Sequence, residues 1–178
     1  MKILMNEDGV TLVELIVVVS VMVALVVGLA FSFQGWMSTS KIESEVKDMY
    51  ADLTNVRARA MQRNRMHFVT FTARQYTIYE DTSPAPDGNG SLEPGADTQV
   101  LQKNTNPSSP INATTADPLR FTTNGLALDA DLPSSDATYG NYGTVRMTYT
   151  DSNPDYDCIV VSETRTNLGK WNGSCVAK

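Results

Sequence analysis

The fold turns on residues 9–33, GVTLVELIVVVSVMVALVVGLAFSF. From Leu15 to Phe33 nineteen residues pass without a charged side chain, close to the roughly 20 apolar residues that a helix needs to cross a ~30 Å hydrocarbon core. The stretch reads as a membrane-spanning helix with a single acid, Glu14, just inside its start. A carboxylate in such a segment costs about 2.5 kcal/mol or more near the bilayer centre, so it calls for a cation. None is near: Lys2 lies far upstream, and the intervening Glu7 and Asp8 are negative. Cleavage after Gly9 would create one, because Val10 would then carry a free α-amino group about one helical turn from Glu14. In a bundle of like subunits, the amine of one chain could meet the carboxylate of the next.

Beyond Phe33 the composition turns polar but the helical period persists. Ile42, Val46, Met49, Leu53, Val56 and Ala60 recur at alternating spacings of four and three, which traces one apolar stripe. The spacing predicts a helix running to about Asn64, roughly 80 Å long from Val10 at 1.5 Å per residue. Acids dominate the first half of its polar section and arginines (Arg57, Arg59, Arg63, Arg65) its end, an order that suits the helix dipole. The period then changes to two. Residues 66–72 (MHFVTFT) and 75–80 (QYTIYE), separated by Ala73 and Arg74, predict a β-hairpin. Further strands are expected at 98–102, 119–122, 144–150 and 158–163, with a last piece near 169–171. Asn124-Gly125 and Asn141-Tyr142-Gly143 mark turns, and the Pro- and Gly-rich stretches 81–95 and 104–118 read as loops, either partner-contacting surfaces or mobile excursions. The expected fold class is α+β, with the helix stripe covered by an antiparallel sheet.

The chain has 178 residues and a formal charge of −6. Taking away residues 1–9, which carry net −1, leaves −5, a balance that disfavours non-specific attraction to nucleic acid or anionic lipid. With about fifty residues in one helix, the remainder suffices for one modest domain. The only two cysteines, Cys158 and Cys175, fall in the part placed outside the cytoplasm, where an even count suggests one disulfide; two reduced buried thiols are the alternative.

A short polar leader ending in Gly9, then Val10-Thr11-Leu12-Val13-Glu14-Leu15 and an apolar helix, resembles the prepilin signature of type IV pilins and type II secretion pseudopilins. Gly9, Thr11, Leu12, Glu14 and Leu15 match that pattern position by position. Val10 stands where the family usually has Phe, and the leader is less basic than is usual. The resemblance implies cleavage after Gly9 by a prepilin peptidase, N-methylation of Val10, and a role in filament assembly for Glu14 together with Thr11 and Leu12. It also implies a pilin fold, divided into a leader (1–9), a transmembrane assembly helix (10–33), its amphipathic continuation (34–64) and a β-rich periplasmic head (65–178). The later segments LRFTTNG, TVRMTY and CIVVSETRTNLG, with DLTNVRARAMQRN at 52–64, resemble the GspH/FimT branch of minor pilins and pseudopilins.

On that resemblance the chain is a structural subunit of a type II secretion pseudopilus or type IV pilus, acting in filament initiation or at the tip. It would sit as a single-pass protein of the bacterial inner membrane, with other pilin or pseudopilin subunits, the prepilin peptidase and the inner-membrane assembly platform as partners. The alternative is a FimT-like minor pilin that captures DNA through Arg165, Lys170 and Lys178. Against it, the tail after Tyr149 has those three bases but four acids, Asp151, Asp155, Asp157 and Glu163. An enzyme is not expected: catalysis by a Ser-His-acid arrangement would have to use His67, the sole histidine, and no nucleophile motif accompanies it. No cofactor or metal is assigned. Asp151, Asp155 and Asp157 are the acids that calcium would use, as in some pseudopilins, against their reading as solvated turns.

Overall fold

The computed structural model describes residues 11–115, 117–128, 143–150 and 152–178, with side chains from 29 to 34 left aside. Its one long helix, α1, spans Leu12–Arg63. Ten strands follow: β1 (His67–Thr72), β2 (Gln75–Glu80), β3 (Thr98–Asn104), β4 (Ile111–Ala113), β5 (Leu119–Phe121), β6 (Ala127–Leu128), β7 (Gly143–Met147), β8 (Cys158–Val161), β9 (Thr166–Trp171) and β10 (Cys175–Ala177). By contact density the chain forms two units, residues 1–38 and residues 39–178.

In the first unit every described side chain from Leu12 to Gly28 is exposed, including Leu15, Ile16, Val21 and Leu25. Among the described residues no helix is long and apolar enough to cross a membrane. The sequence span expected to do so includes residues 29–34, whose side chains are not described, and the expected leader, residues 1–9, lies outside the described residues altogether.

The second unit is an α+β domain in which the helix packs on antiparallel sheets. The expected stripe is its spine: Ile42, Val46, Met49, Leu53, Val56 and Ala60 are all buried. The helix stops where its sequence allows. Asn64 adopts φ 52° and Arg65 N–H donates to Ala60 C=O at 3.2 Å, a left-handed cap that satisfies a carbonyl of the last turn.

Instead of one sheet there are two, ordered β3-β2-β1-β5-β6 (sheet A) and β10-β9-β8-β7-β4 (sheet B), with every pair antiparallel. Both deliver side chains to a single core. Val69, Ile78, Leu119 and Phe121 come from sheet A, Val145, Met147, Ile159 and Val161 from sheet B, and all meet the helix stripe in one cluster. β8 is buried along its whole length, which is why CIVV reads as a continuous apolar run rather than an alternating one.

Strand boundaries differ from expectation where polar partners compete with the ladder. The strand expected over 144–150 ends at Met147, because Thr148 N–H and its hydroxyl both turn to Pro110 C=O. The one expected over 158–163 ends at Val161, where Ser162 N–H closes a turn onto Arg165 C=O. β4 falls inside an expected loop. Ile111 is buried and the strand pairs with β7, yet three residues carry too little pattern to be seen. Asn141 and Tyr142 of the expected turn lie outside the described residues.

The stretch after β2 is folded around two buried carboxylates. Asp81 accepts the backbone N–H groups of Asn89 and Gly90 at 3.1 and 2.7 Å, and Asp97 those of Thr82, Ser83 and Glu93 at 3.0, 3.1 and 2.7 Å. Gly88 is required there: its φ is 80°, and a Cβ would fall 1.9 Å from an Asp81 oxygen.

The stripe sets the stability. Leu53→Ala, at a fully buried position, should lower unfolding free energy by about 2–5 kcal/mol. Thr54→Ala, one residue on and exposed, should change it by no more than about 0.5 kcal/mol in the same urea titration.

Candidate functional site

The residues proposed from sequence to drive assembly gather at the start of α1. Thr11 precedes the first helical residue, and its hydroxyl accepts Glu14 N–H at 3.3 Å while its carbonyl accepts Leu15 N–H at 3.1 Å. Thr11 is thus the N-cap and Glu14 the third helical residue, the spacing at which threonine and glutamate cap a helix together. Glu14 also occupies the first turn, where the helix dipole favours negative charge. Its carboxylate makes no hydrogen bond or ion pair among the described residues. Leu12, exposed beside it, opens the apolar surface. Gly9 and Val10, the expected cleavage and methylation positions, lie outside the described residues.

The helix end carries a second polar cluster. Glu80, almost wholly buried, receives Arg63 at 3.0 Å and Arg65 at 3.4 Å, so these arginines neutralise an interior acid rather than only facing the helix dipole. Arg57 instead donates to Ser162 C=O at 3.0 Å and lies 5.4 Å from the centre of the Phe121 ring. Burial pulls the Arg57 guanidinium below its usual pKa. His67 is completely buried, with Nδ1 3.2 Å from Arg65 C=O and Nε2 4.0 Å from Glu80. Burial first, then Arg59 and Arg63 nearby, pull its pKa down, against the Arg65 carbonyl and the Glu80 charge. The imidazole is therefore neutral at pH 7, and the Glu80 contact is not an ion pair. A ring with no exposed surface cannot reach a substrate.

At the C-terminal end Cys158 and Cys175 form a disulfide, joining β10 to β8 across β9. Gly169 sits under the bridge: a Cβ there would lie 2.8 Å from Cys175 Sγ. Asp157, next to the buried cysteine, accepts Trp171 N–H and Tyr149 O–H, each at 2.6 Å. Burial and that bond push the Tyr149 phenol up to about 12.

Asp157 is therefore an interior hydrogen-bond acceptor rather than a solvated turn residue. Asp155 is exposed and pairs with Lys178 at 3.3 Å, and Asp151 lies outside the described residues. Among the described residues no group of three His, Cys, Asp or Glu side chains converges as a metal site would.

Of the three bases proposed for DNA, Lys170 and Lys178 both reach the turn at 153–157, and Arg165 stands apart. Lys170 donates to Asn153 at 2.9 Å and to Pro154 C=O, and lies 3.9 Å from Asp157. Lys178 is held by Asp155 and by the Tyr156 ring. Arg165 is exposed on the β8–β9 turn, the better part of β9 away from Lys170, or about 16 Å at ~3.3 Å per residue. Two of the three are thus engaged near acids.

A helix packed on antiparallel sheets defines the class, the pseudopilin fold. The solved structures similar to this chain include two of the minor pseudopilin EpsH from the type 2 secretion system of Vibrio cholerae. One aligns at TM-score 0.50 and 9% identity, covering 74% of this chain and 97% of that one. The other aligns at 0.49 and 12%, covering 72% and 95%. At such identities the likeness speaks to the fold alone. No curated protein matches the sequence. The family described as type II transport protein GspH matches residues 45–164, well over half of the chain, and the chain belongs to that family.

Sequence reasoning missed the interior acids Glu80, Asp81, Asp97 and Asp157. Each ends or borders a strand in an otherwise ordinary polar context, and no local signal separates it from a surface acid. The neutral, buried His67 makes stability pH-dependent. Unfolded, it protonates near pH 6.5; folded, its pKa lies lower. Its contribution is complete above that unfolded value and is lost as pH falls toward the folded one, at up to about 1.4 kcal/mol per pH unit. Urea unfolding between about pH 7.5 and 5.5 should show wild type losing more stability than His67→Gln.

Proposed function

We propose that this chain is a minor pseudopilin, a structural subunit of a type II secretion pseudopilus, acting in filament initiation or at the tip. Membership of the GspH family carries the reading. The matched residues begin beyond Glu14, so the N-terminal steps rest on the sequence signature. On this reading a prepilin peptidase removes residues 1–9 and Val10 becomes the N-methylated terminus. Residues 10–33 hold the subunit in the inner membrane as a single pass, the head lies in the periplasm, and the assembly platform extracts the subunit into the filament.

The capped helix start supports a role for Glu14 in docking. The Thr11 hydroxyl fixes the first turn, and the exposed carboxylate then stands at a defined position, available to a neighbour's new α-amino group. A charge pair removed from water in this way is costly to break, by about 3–5 kcal/mol when one partner is deleted. The role is structural rather than enzymatic. The DNA-uptake alternative has little support, since Lys170 and Lys178 already lie beside Asp157 and Asp155.

In its native host Glu14→Ala should still insert, be cleaved and be methylated, as read by mass spectrometry of the membrane fraction. Its recovery in sheared filaments should fall more than about tenfold. Normal incorporation of Glu14→Ala would remove the carboxylate from the assembly step, and an intact leader on the wild-type protein would overturn the processing scheme.

A further inference from the structure

β3 lies at the open edge of sheet A, so its outward backbone N–H and C=O groups meet no partner strand among the described residues. Natural proteins guard such edges with charged side chains, lysine above all. Lys103 is the one charged residue of β3, and it does not stand guard. Its Nζ lies 2.6 Å from Asp52 Oδ2 on α1, and the same oxygen accepts Tyr76 O–H at 2.6 Å. The lysine is drawn in against the helix and the edge is left open.

The strand also carries a bulge. Ile78 pairs with Leu101 and Tyr79 with Gln99, which leaves Val100 as an inserted residue. Successive residues of a regular strand face opposite ways; at this bulge Val100 and Leu101 both line one groove between β3 and the helix. The groove holds about 200 Å³, with Val56 and Ile78 adding to its apolar lining. Arg59 also lines it, half-buried, and makes no hydrogen bond or ion pair among the described residues. Lys103 and Asp52 cancel, so Arg59 is the groove's unbalanced charge.

We propose that this groove receives an extended segment of another protein, which pairs along residues 101–104 and sets one carboxylate side chain against Arg59. Three complementarities select that occupant. A strand satisfies the open backbone groups, which a helix would leave unmet. Its apolar side chains cover Val100 and Leu101. Its carboxylate accepts a two-pronged, charge-assisted bond from the guanidinium, which a neutral or basic side chain would leave unpaired. The proposal goes beyond the assembly role of Glu14 and does not depend on it, so the two fail separately.

The test uses the full-length protein in detergent micelles and a fluorescein-labelled peptide amide of alternating threonine and valine with one central glutamate. By anisotropy the glutamate peptide should bind about tenfold more tightly than its glutamine twin, a difference erased in Arg59→Gln and partly kept in Arg59→Lys. N-methylation of alternate peptide nitrogens, in one of the two possible sets, should abolish binding. Equal binding of the glutamate and glutamine peptides, indifference to both N-methyl sets, or no binding at about 1 mM would overturn the proposal. The comparison of twin peptides is made on the wild-type protein and needs no variant to fold.

Discussion

The head of this protein depends on the burial of one helical stripe. Six side chains from Ile42 to Ala60 are removed almost entirely from water, and residues of both sheets close over them in a single cluster. Burying a large apolar side chain contributes about 1.5–3 kcal/mol, whereas a typical hydrogen bond nets about 1 kcal/mol. The helix–sheet contact is therefore the dominant attractive term. The ladders and polar clusters adjust to it: Tyr76 reaches Asp52 on the helix, Arg57 reaches Ser162 from it, and Arg63 closes its end onto Glu80.

The chain is acidic overall, yet several of its acids are interior. Glu80, Asp81, Asp97 and Asp157 are all buried, and each oxygen of these carboxylates has a donor. Glu80 takes two guanidinium groups, Asp81 and Asp97 take backbone N–H groups, and Asp157 takes one N–H and one phenol. Unpaired, each would be driven to neutralise itself. Matched in this way, they fix where strands end and loops begin.

How far the sequence disclosed this depends on the length of each pattern. The helix was legible because its stripe repeats over five turns, and its stop because the period changes to two after Asn64. The β1–β2 hairpin was legible from two alternating runs around Ala73-Arg74. The division into two sheets was not, since β4, β6 and β10 are each no longer than three residues and β4 finds its partner, β7, far along the chain. The cysteine pair was legible from count and compartment, and the bond is formed. At the helix start, the threonine cap could be read from the spacing of Thr11 and Glu14. The groove beside Arg59 could not, because a bulge at Val100 and a lysine turned inward leave no trace in one dimension.

The loop between β2 and β3 is held by aspartates that grip the main chain: five amide N–H groups come to Asp81 and Asp97. Its path is thus written largely into the polypeptide ribbon, with Gly88 and Gly90 at positive φ and the Asn89 side chain accepting Ser91 N–H and donating to Glu93. Outward positions such as Asp87 and Ser91 are free to drift without loss of shape. Related chains could present quite different chemical faces from one unchanging scaffold.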